Sequence, residues 1–158
     1  MARASELIVP IRAFTNSEIA ACEDMFNGNP ASDVIDMGQY GELSLVITKF
    51  AGATGTATIT VLSCDDTTPT TTTGVAYRYR ITTGTTPGDW ADAAAAGFTT
   101  TAGANQVYEI SILSNELSGD NQFVRFVMTE SANDPVDGCV QVFGHRGRFG
   151  GTGLDTTS

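Results

Sequence analysis

The chain is poor in residues that enzymes commonly use for catalysis. It has a single histidine, His145, among 158 residues. Catalysis of the Ser-His-Asp kind needs a histidine held as a base, and His145 begins a stretch rich in glycine and arginine that would not fix its geometry. Cys139 is expected on the same strand as His145, but six residues of extended chain place them about 20 Å apart. We therefore expect that this protein is not an enzyme.

Basic residues are also scarce. Eight Lys and Arg residues stand against 18 Asp and Glu residues, which gives a net charge of −10. Phosphate binding needs clustered positive charge, so nucleic acid is not expected as a direct partner. The most basic stretch contains His145, Arg146 and Arg148 near the C-terminus. It is either a solvated tail or a docking site for an acidic protein surface.

The chain has only three cysteines and no long apolar run. Cys22, Cys64 and Cys139 are odd in number and irregularly spaced, so they predict neither a disulfide framework nor a zinc site. Cys139 is expected in the core and Cys64 at the semi-exposed end of a strand, and synthesis in a reducing cytoplasm follows. No run approaches the ~20 apolar residues of a membrane span, and residues 7–11 are too short for a secretory signal. We expect a soluble protein with no membrane partner.

Acidic and glycine-rich loops are the remaining candidates for ligand binding. Asp65 with Asp66, and Asp33 with Asp36, could offer oxygens to Ca²⁺, but neither pair has EF-hand spacing, and the ion needs about six to eight converging oxygens. Exposed loop carboxylates are the simpler interpretation. Residues 147–153 lack the Lys-Ser/Thr of a phosphate-binding loop. The sequence therefore predicts no cofactor and no metal site.

What the sequence has in abundance is a two-residue alternation of apolar and polar side chains. In residues 56–62 the threonines share one face, while Ala57, Ile59 and Val61 share the other. Such a period is typical of a strand with one buried face. Turn-forming residues separate the repeats of this pattern. The predicted strands are 34–37, 43–50, 56–64, 75–83, 107–113, 122–130 and 137–145.

These strands predict an all-β, single-domain β-sandwich of the jelly-roll type over residues 15–145. An extended N-terminal arm, residues 1–14, precedes it, and a flexible C-terminal tail, residues 146–158, follows. Pro10 cannot donate to a sheet, so the arm is either an edge strand of its own sandwich or an extension that contacts a neighbour. Thr15 and Glu18 have the spacing of a capping box, which predicts a short helix over 16–26, and the alanines of 93–96 favour a helical turn.

Several short motifs resemble the jelly-roll cement proteins, also called decoration proteins, of tailed bacteriophage heads. The resemblance begins at residues 14–16 and includes Ser32-Asp33-Val34-Ile35-Asp36-Met37-Gly38, which is similar to a stretch before that family's first core strand. Residues 43–50 and 56–66 resemble its paired strands, 122–126 its arginine-bearing strand, and 139–143 its valine-rich last strand. The resemblance covers roughly residues 14–145, without the loop 84–103.

This resemblance implies a structural virion protein rather than a catalyst. It would be made in the host cytoplasm, bind the outer capsid surface as a homo-dimer or homo-trimer, and bridge neighbouring subunits of the major capsid protein against internal pressure. Apolar arms suit such strand addition to a neighbour. The residues expected to contact the capsid or another subunit are Arg3, Leu7, Ile8, Val9, Ile11, Arg12, Phe14, Arg146 and Arg148.

A second function remains open for the same fold. A β-sandwich module could bind carbohydrate for surface attachment by stacking Trp90, and with it Tyr108, on a sugar. The competing interpretation is that Trp90, which lies in a loop with Pro87 and Gly88, plugs one end of the sandwich core. Binding of glycans that depends on Trp90 would favour the carbohydrate function over the capsid function.

Overall fold

A computed structural model describes residues 8–14, 22–50, 55–119 and 121–147, without the side chains of residues 146 and 147. These residues form twelve β-strands and one 3-10 turn, Ser114–Glu116. Two antiparallel sheets pack against each other around one core. The predicted single-domain β-sandwich is confirmed. No helix among the described residues could cross a membrane.

Seven strands form the first sheet, sheet A, and five form the second, sheet B. Sheet A has the order β1-β12-β3-β10-β6-β7, with β8 also pairing with β6, and sheet B has the order β2-β11-β4-β5, with β9 pairing with β4. The strands are β1 (Ile8–Ile11), β2 (Ile35–Asp36), β3 (Tyr40–Lys49), β4 (Thr56–Cys64), β5 (Thr72–Val75), β6 (Tyr77–Thr83), β7 (Thr86–Pro87), β8 (Ala91–Ala93), β9 (Phe98–Thr99), β10 (Gln106–Leu113), β11 (Phe123–Ala132) and β12 (Gly138–Gly147).

The alternation in the sequence decides which face of each strand is buried. On β4 the side chains of Ala57, Ile59 and Val61 are fully buried, whereas the threonines between them are partly exposed. The inward side chains of β3, β10 and β11 meet them in the core. Burial of one apolar face of each sheet against the other is the main stabilising term for such a sandwich.

Four strand pairs are nested around one turn. The innermost pair is β4 with β5, and around it lie β3 with β10, β2 with β11, and β1 with β12. The chain therefore forms one long antiparallel ribbon that folds over on itself to give two sheets. Strands β6 to β9 are an insertion between β5 and β10. Strands β6, β7 and β8 extend sheet A beyond β10, and β9 pairs with β4 in sheet B.

Both helical predictions fail where the structure describes the chain. Residues 16–21 of the predicted helix lie outside the described residues, and its remaining residues, 22–26, form turns and bends. The predicted helical turn at 93–96 is wrong, because Ala93 ends β8 opposite Tyr77 and residues 95–96 make a plain turn. Pairing of β8 with β6 gives hydrogen-bond partners to backbone groups that an isolated alanine-rich turn would leave unpaired. Tertiary structure therefore overrides the helical preference of alanine.

The segment 22–30 closes one end of the sandwich. Met25 and Phe26 are fully buried, and the Met25 N–H donates to the Val136 carbonyl at 2.9 Å. Farther along, the Met128 N–H donates to the Pro30 carbonyl at 2.9 Å. The segment is thus anchored to the end of β11 and to the connection that leads into β12.

Candidate functional site

The N-terminal strand β1 forms one edge of sheet A. Its register places Ile8 opposite His145 and Ile11 opposite Val142 on β12. The other edge of β1 has no strand partner among the described residues. Of the two arrangements left open by the sequence, the structure therefore shows residues 8–11 as an edge strand of their own sandwich. Pro10 suits this position because an edge strand tolerates a missing N–H.

Apolar side chains remain exposed along this edge. Ile8 is 41% exposed and Val9 is 45% exposed, and of the described residues only Phe50, at 44%, is a comparable large exposed hydrophobic. Because side chains alternate along a strand, Ile8 lies on the outer face of sheet A and Val9 on the face toward the core. The β1 edge therefore presents apolar surface on both sides of the strand.

The arm is anchored just beyond β1. Ala13 and Phe14 are buried in the core, at 3% and 8% exposure, and the Asp33 N–H donates to the Ala13 carbonyl at 2.6 Å. Phe14 was expected to contact a partner, but in this structure it holds the arm to its own domain. Ile11 is half-buried against the core, and the Gln141 Nε2 donates to its carbonyl at 3.2 Å.

A groove follows the arm along β12. It has a volume of about 400 Å³ and is lined by residues 10–14 and 140–142. Arg12 lines the groove with an exposed side chain. The structure thus brings Ile8, Val9, Ile11 and Arg12 together on one edge. Arg3, Leu7 and Arg148 lie outside the described residues, as does the side chain of Arg146.

Trp90 lies at the opposite side of sheet A. Its ring faces the guanidinium groups of Arg78, 5.7 Å from the ring centroid, and Arg80, at 4.7 Å. Both arginines project from the outer face of β6, so Trp90 lies over that face and does not plug an end of the core. A cavity of about 250 Å³ adjoins it, and Glu42, Ser111 and Glu116 contribute polar groups to its wall.

The charged groups beneath Trp90 pair with one another. Arg80 forms a salt bridge and a 2.6 Å hydrogen bond from Nε with the Glu109 carboxylate. Arg78 approaches Asp92 at 3.5 Å. Tyr108, the other residue considered for sugar stacking, is fully buried. Its hydroxyl contacts Thr101 and Gln106, so Tyr108 is a core residue and cannot contribute to a surface site.

One carboxylate of each acidic pair considered for calcium, Asp65 and Asp36, has a structural role in a turn. The Asp65 carboxylate accepts hydrogen bonds from the Thr70 hydroxyl at 2.9 Å and from the Thr70 N–H at 3.2 Å. These bonds lower the pKa of Asp65, chiefly through the Thr70 side chain. Asp36 accepts from the Gly38 N–H at 2.7 Å. Among the described residues no three His, Cys, Asp or Glu side chains form a group that could hold a metal ion.

A buried lysine was not anticipated from the sequence. Lys49, on the inward face of β3, is 1% exposed, and its Nζ donates to the carbonyls of Gly55 and Thr101, both at 3.0 Å. Burial lowers the pKa of Lys49. The only sequence signal was its position, because 49 continues the inward series of Leu43, Leu45 and Ile47. Lys49 ties together two connections at one end of the sandwich.

The cysteines also differ from expectation. Cys64 is fully buried instead of semi-exposed. Cys139 is half-buried and pairs with Thr48, a register that turns its side chain to the outer face of sheet A and away from the core. Its Sγ lies 3.0 Å from the Sγ of Cys22. The two cysteines are 117 positions apart, so no local spacing could have predicted their contact.

Comparison with known proteins gives no assignment: no protein-family model, curated protein or solved structure matches the chain.

Proposed function

We propose that this chain is a jelly-roll cement protein that binds the outer surface of a tailed-bacteriophage head. It would associate with itself and with the major capsid protein, and would stabilise the shell by bridging neighbouring subunits. Stabilisation of this kind follows from mass action, because a protein that binds only the assembled shell shifts the equilibrium toward it. The resemblance of the short motifs in residues 14–145 supports this assignment.

The order of strand pairing supports the jelly-roll form of the sandwich. A jelly roll has eight strands in two four-stranded sheets, produced by wrapping a long antiparallel ribbon. The nested pairs β1–β12, β2–β11, β3–β10 and β4–β5 have this order. They divide into the sheets β1-β12-β3-β10 and β2-β11-β4-β5. The insertion β6 to β9 extends this arrangement without interrupting it.

The observation on which the binding surface depends is the apolar edge at β1. A strand edge that has no partner among the described residues, with exposed Ile8 and Val9, can accept a strand from another chain. The neighbouring groove and the exposed Arg12 offer apolar and charged contacts beside that edge. An acidic chain also repels itself in solution, which favours assembly only where the shell supplies complementary surface.

To test the β1 surface, we compare substitutions at two exposed apolar sites: Ile8 and Val9 on β1, and Phe50 directly after β3. In the first variant Ile8→Asp and Val9→Asp are combined, and in the control Phe50→Asp replaces a side chain of equal exposure. Phe50 adjoins the start of β12 and Ile8 lies beside its end, about 26 Å away along the strand direction. Binding would be measured by co-sedimentation and negative-stain microscopy with empty heads assembled from the major capsid protein of the same genome.

We expect the β1 variant to lose binding by at least about tenfold, which corresponds to ~1.4 kcal/mol, while the Phe50 variant binds as the unmodified chain does. Both variants should keep the circular dichroism of a β-protein. Equal binding by all three chains would refute the β1 surface. Failure of the unmodified chain to bind the heads would refute the capsid function itself.

A carbohydrate-binding function is the second candidate. The observation that favours it is the half-buried ring of Trp90 beside a cavity with carboxylate and hydroxyl groups in its wall. Aromatic rings stack on the apolar faces of sugars, and nearby polar groups can then bond to hydroxyls. Glycan-array binding that disappears in Trp90→Ala but persists in the Ile8→Asp, Val9→Asp variant would favour this function. An array with no bound glycan would reject it.

A further inference from the structure

Cys22 and Cys139 form a close thiol pair that the proposed capsid function does not use. Their sulfur atoms lie 3.0 Å apart, about 1 Å longer than a covalent S–S bond of about 2.05 Å. Both side chains are half-buried, so reagents from solution can reach them. The third cysteine, Cys64, is fully buried and belongs to sheet B.

The backbone around the pair is fixed by regular hydrogen bonds. The Gly138 N–H donates to the Cys22 carbonyl at 3.1 Å, and Cys139 pairs with Thr48 in the ladder between β12 and β3. Four residues after Cys22, the fully buried Phe26 holds the segment 22–30 in the core. The two sulfurs are therefore held close together by the fold, and forming the bond would shorten their 3.0 Å separation by about 1 Å.

We propose that Cys22 and Cys139 are a disulfide modification site that covalently ties the segment 22–30 to the start of β12. The inference does not rest on the capsid function. It assigns a structural cross-link, formed when the folded chain meets an oxidising small-molecule disulfide. Cys64 takes no part, because its burial keeps it away from both solvent and the pair.

The reaction is two successive thiol–disulfide exchanges. A thiolate of the pair attacks the small disulfide and releases one small thiol, forming a mixed disulfide. The second thiolate then attacks the protein sulfur of that mixed disulfide and releases the second small thiol. Two protein thiols are oxidised to one disulfide, the small disulfide is reduced to two thiols, and the two protons of the protein thiols end on the released thiols.

The environment of the pair also determines its pH dependence. The hydrogen bond with Cys22, followed by burial, raises the pKa of Cys139 to about 11. The attacking species is the thiolate, so exchange should accelerate as pH rises from neutral toward that value.

The cross-link is tested most directly in the variant Cys64→Ser, in which only the two proposed thiols remain. The folded variant is incubated with oxidised glutathione at a pH near 8.5, and intact mass is measured without reduction. We expect a monomer whose mass is lower by two hydrogen atoms and that no longer reacts with iodoacetamide. Proteolytic mapping of the oxidised unmodified chain should give one peptide pair that joins 22 to 139, which makes the result independent of any effect of the serine.

Single-thiol variants supply the matched controls. Cys22→Ser and Cys139→Ser should each gain one glutathione adduct and form no internal bond. Oxidation should raise the melting temperature of the unmodified chain by about 10 °C, because the bond closes a long loop, and should leave both single-thiol variants unchanged. The proposal is overturned if the unmodified chain carries two glutathione adducts, forms only disulfide-linked dimers, or melts at the same temperature when cross-linked.

Discussion

The two edges of sheet A differ in how they meet solvent. The edge formed by β1 exposes Ile8 and Val9 and has no covering element among the described residues. The opposite edge is built from the short strands β7 and β8 and includes Pro87. Both edges have short strands and a proline, since β1 is a four-residue strand that contains Pro10. They differ in charge, because the described strands at the far edge carry paired charged side chains, another device by which natural sheets prevent pairing with other chains. One edge of this sheet is protected and the other is left able to accept a partner.

Charge pairing accompanies the protected edge. Arg78 and Asp92 face each other across β6 and β8, and Arg80 pairs with Glu109 across β6 and β10. Trp90 covers both arginines. Among the described residues, the β1 edge exposes the apolar Ile8 and Val9, with Arg12 beside them. The contrast indicates that the insertion between β5 and β10 both lengthens sheet A and closes its far side.

The largest effect is expected from removing the anchor of the unprotected edge. Phe14→Ala should lower the free energy of unfolding by about 3–5 kcal/mol, because the ring is buried and its loss leaves a cavity. It should also release β1 from β12, which hydrogen exchange of residues 8–11 would detect. The measurement is urea denaturation followed by fluorescence and exchange mass spectrometry.

The matched control for this prediction is Ile8→Ala on the same arm. Ile8 is 41% exposed, so its truncation should cost less than about 1 kcal/mol. Equal losses from the two variants would show that the arm is held along its whole length and not at Phe14. That result would contradict the proposal that Phe14 anchors the arm while the β1 edge at Ile8 stays accessible to a partner.

The sequence predicted the long strands well because each of them alternates over many residues. Residues 56–64 coincide with β4, and 107–113 differ from β10 by one residue. The short strands of the protected edge were not predicted, because two or three residues such as Thr86–Pro87 carry no period of their own. They exist only through pairing with β6, which is a long-range property.

The candidate surfaces were predicted less completely than the strands. The apolar, proline-containing arm did indicate an edge, since Pro10 excludes a central strand. Phe14 could not be assigned to the core, because its surroundings come from distant parts of the chain: the Asp33 N–H bonds to the preceding Ala13 carbonyl, and residues 140–142 of β12 line the same groove. The position of Trp90 over β6 depends in the same way on how the insertion folds back.

A second prediction concerns Lys49, whose ammonium group bonds to the carbonyl of Thr101, just after the last strand of the insertion. Lys49→Met should destabilise the fold by about 1–3 kcal/mol, because the Gly55 and Thr101 carbonyls lose their donor. Thermal and urea unfolding across pH would measure it. A smaller loss than this would mean that the desolvation of the ammonium group offsets its hydrogen bonds.

The pH dependence of the Lys49 effect has a definite sign. Burial lowers the pKa of Lys49 below 10.5 in the folded chain, so between that lowered pKa and 10.5 the unfolded chain binds more protons than the folded one. The contribution of Lys49 to the free energy of unfolding therefore rises with pH across this window. The difference between the unmodified chain and Lys49→Met should grow there, and a constant difference would contradict the lowered pKa.

A third and smaller effect is expected at the half-buried pair of Arg80 and Glu109. Each side chain is 29% exposed, and the Arg80 guanidinium also lies 4.7 Å from the Trp90 centroid. Arg80→Gln should cost about 1 kcal/mol through the lost ion pair and cation–π contact. A double-mutant cycle with Glu109→Gln would separate the two terms. A coupling energy near zero would assign the whole effect to Trp90.

The smallest effect on stability is expected at Arg78. This residue pairs with Asp92 on the edge strand β8 and so tests whether charge protects that edge. The Arg78 and Asp92 side chains are 57% and 89% exposed, so solvent screens the pair and Arg78→Gln should change the free energy of unfolding by less than about 0.5 kcal/mol. The remaining difference should vanish in 1 M salt, where the Debye length is about 3 Å. Denaturation at low and high salt would measure both.

A small loss of stability is expected if the Arg78–Asp92 pair acts mainly to prevent association with other chains. Asp92 lies on the edge strand β8, and Arg78 lies beside it on β6. Charges at a sheet edge oppose pairing with other chains, so replacing Arg78 by an apolar residue should increase self-association before it lowers the free energy of unfolding. Arg78→Val should self-associate more than Arg78→Gln in analytical ultracentrifugation, although the two variants unfold alike. A stability loss above 1 kcal/mol that persists in high salt would instead make Arg78 part of the packing beneath Trp90, and the far edge would then be protected by that packing and not by charge.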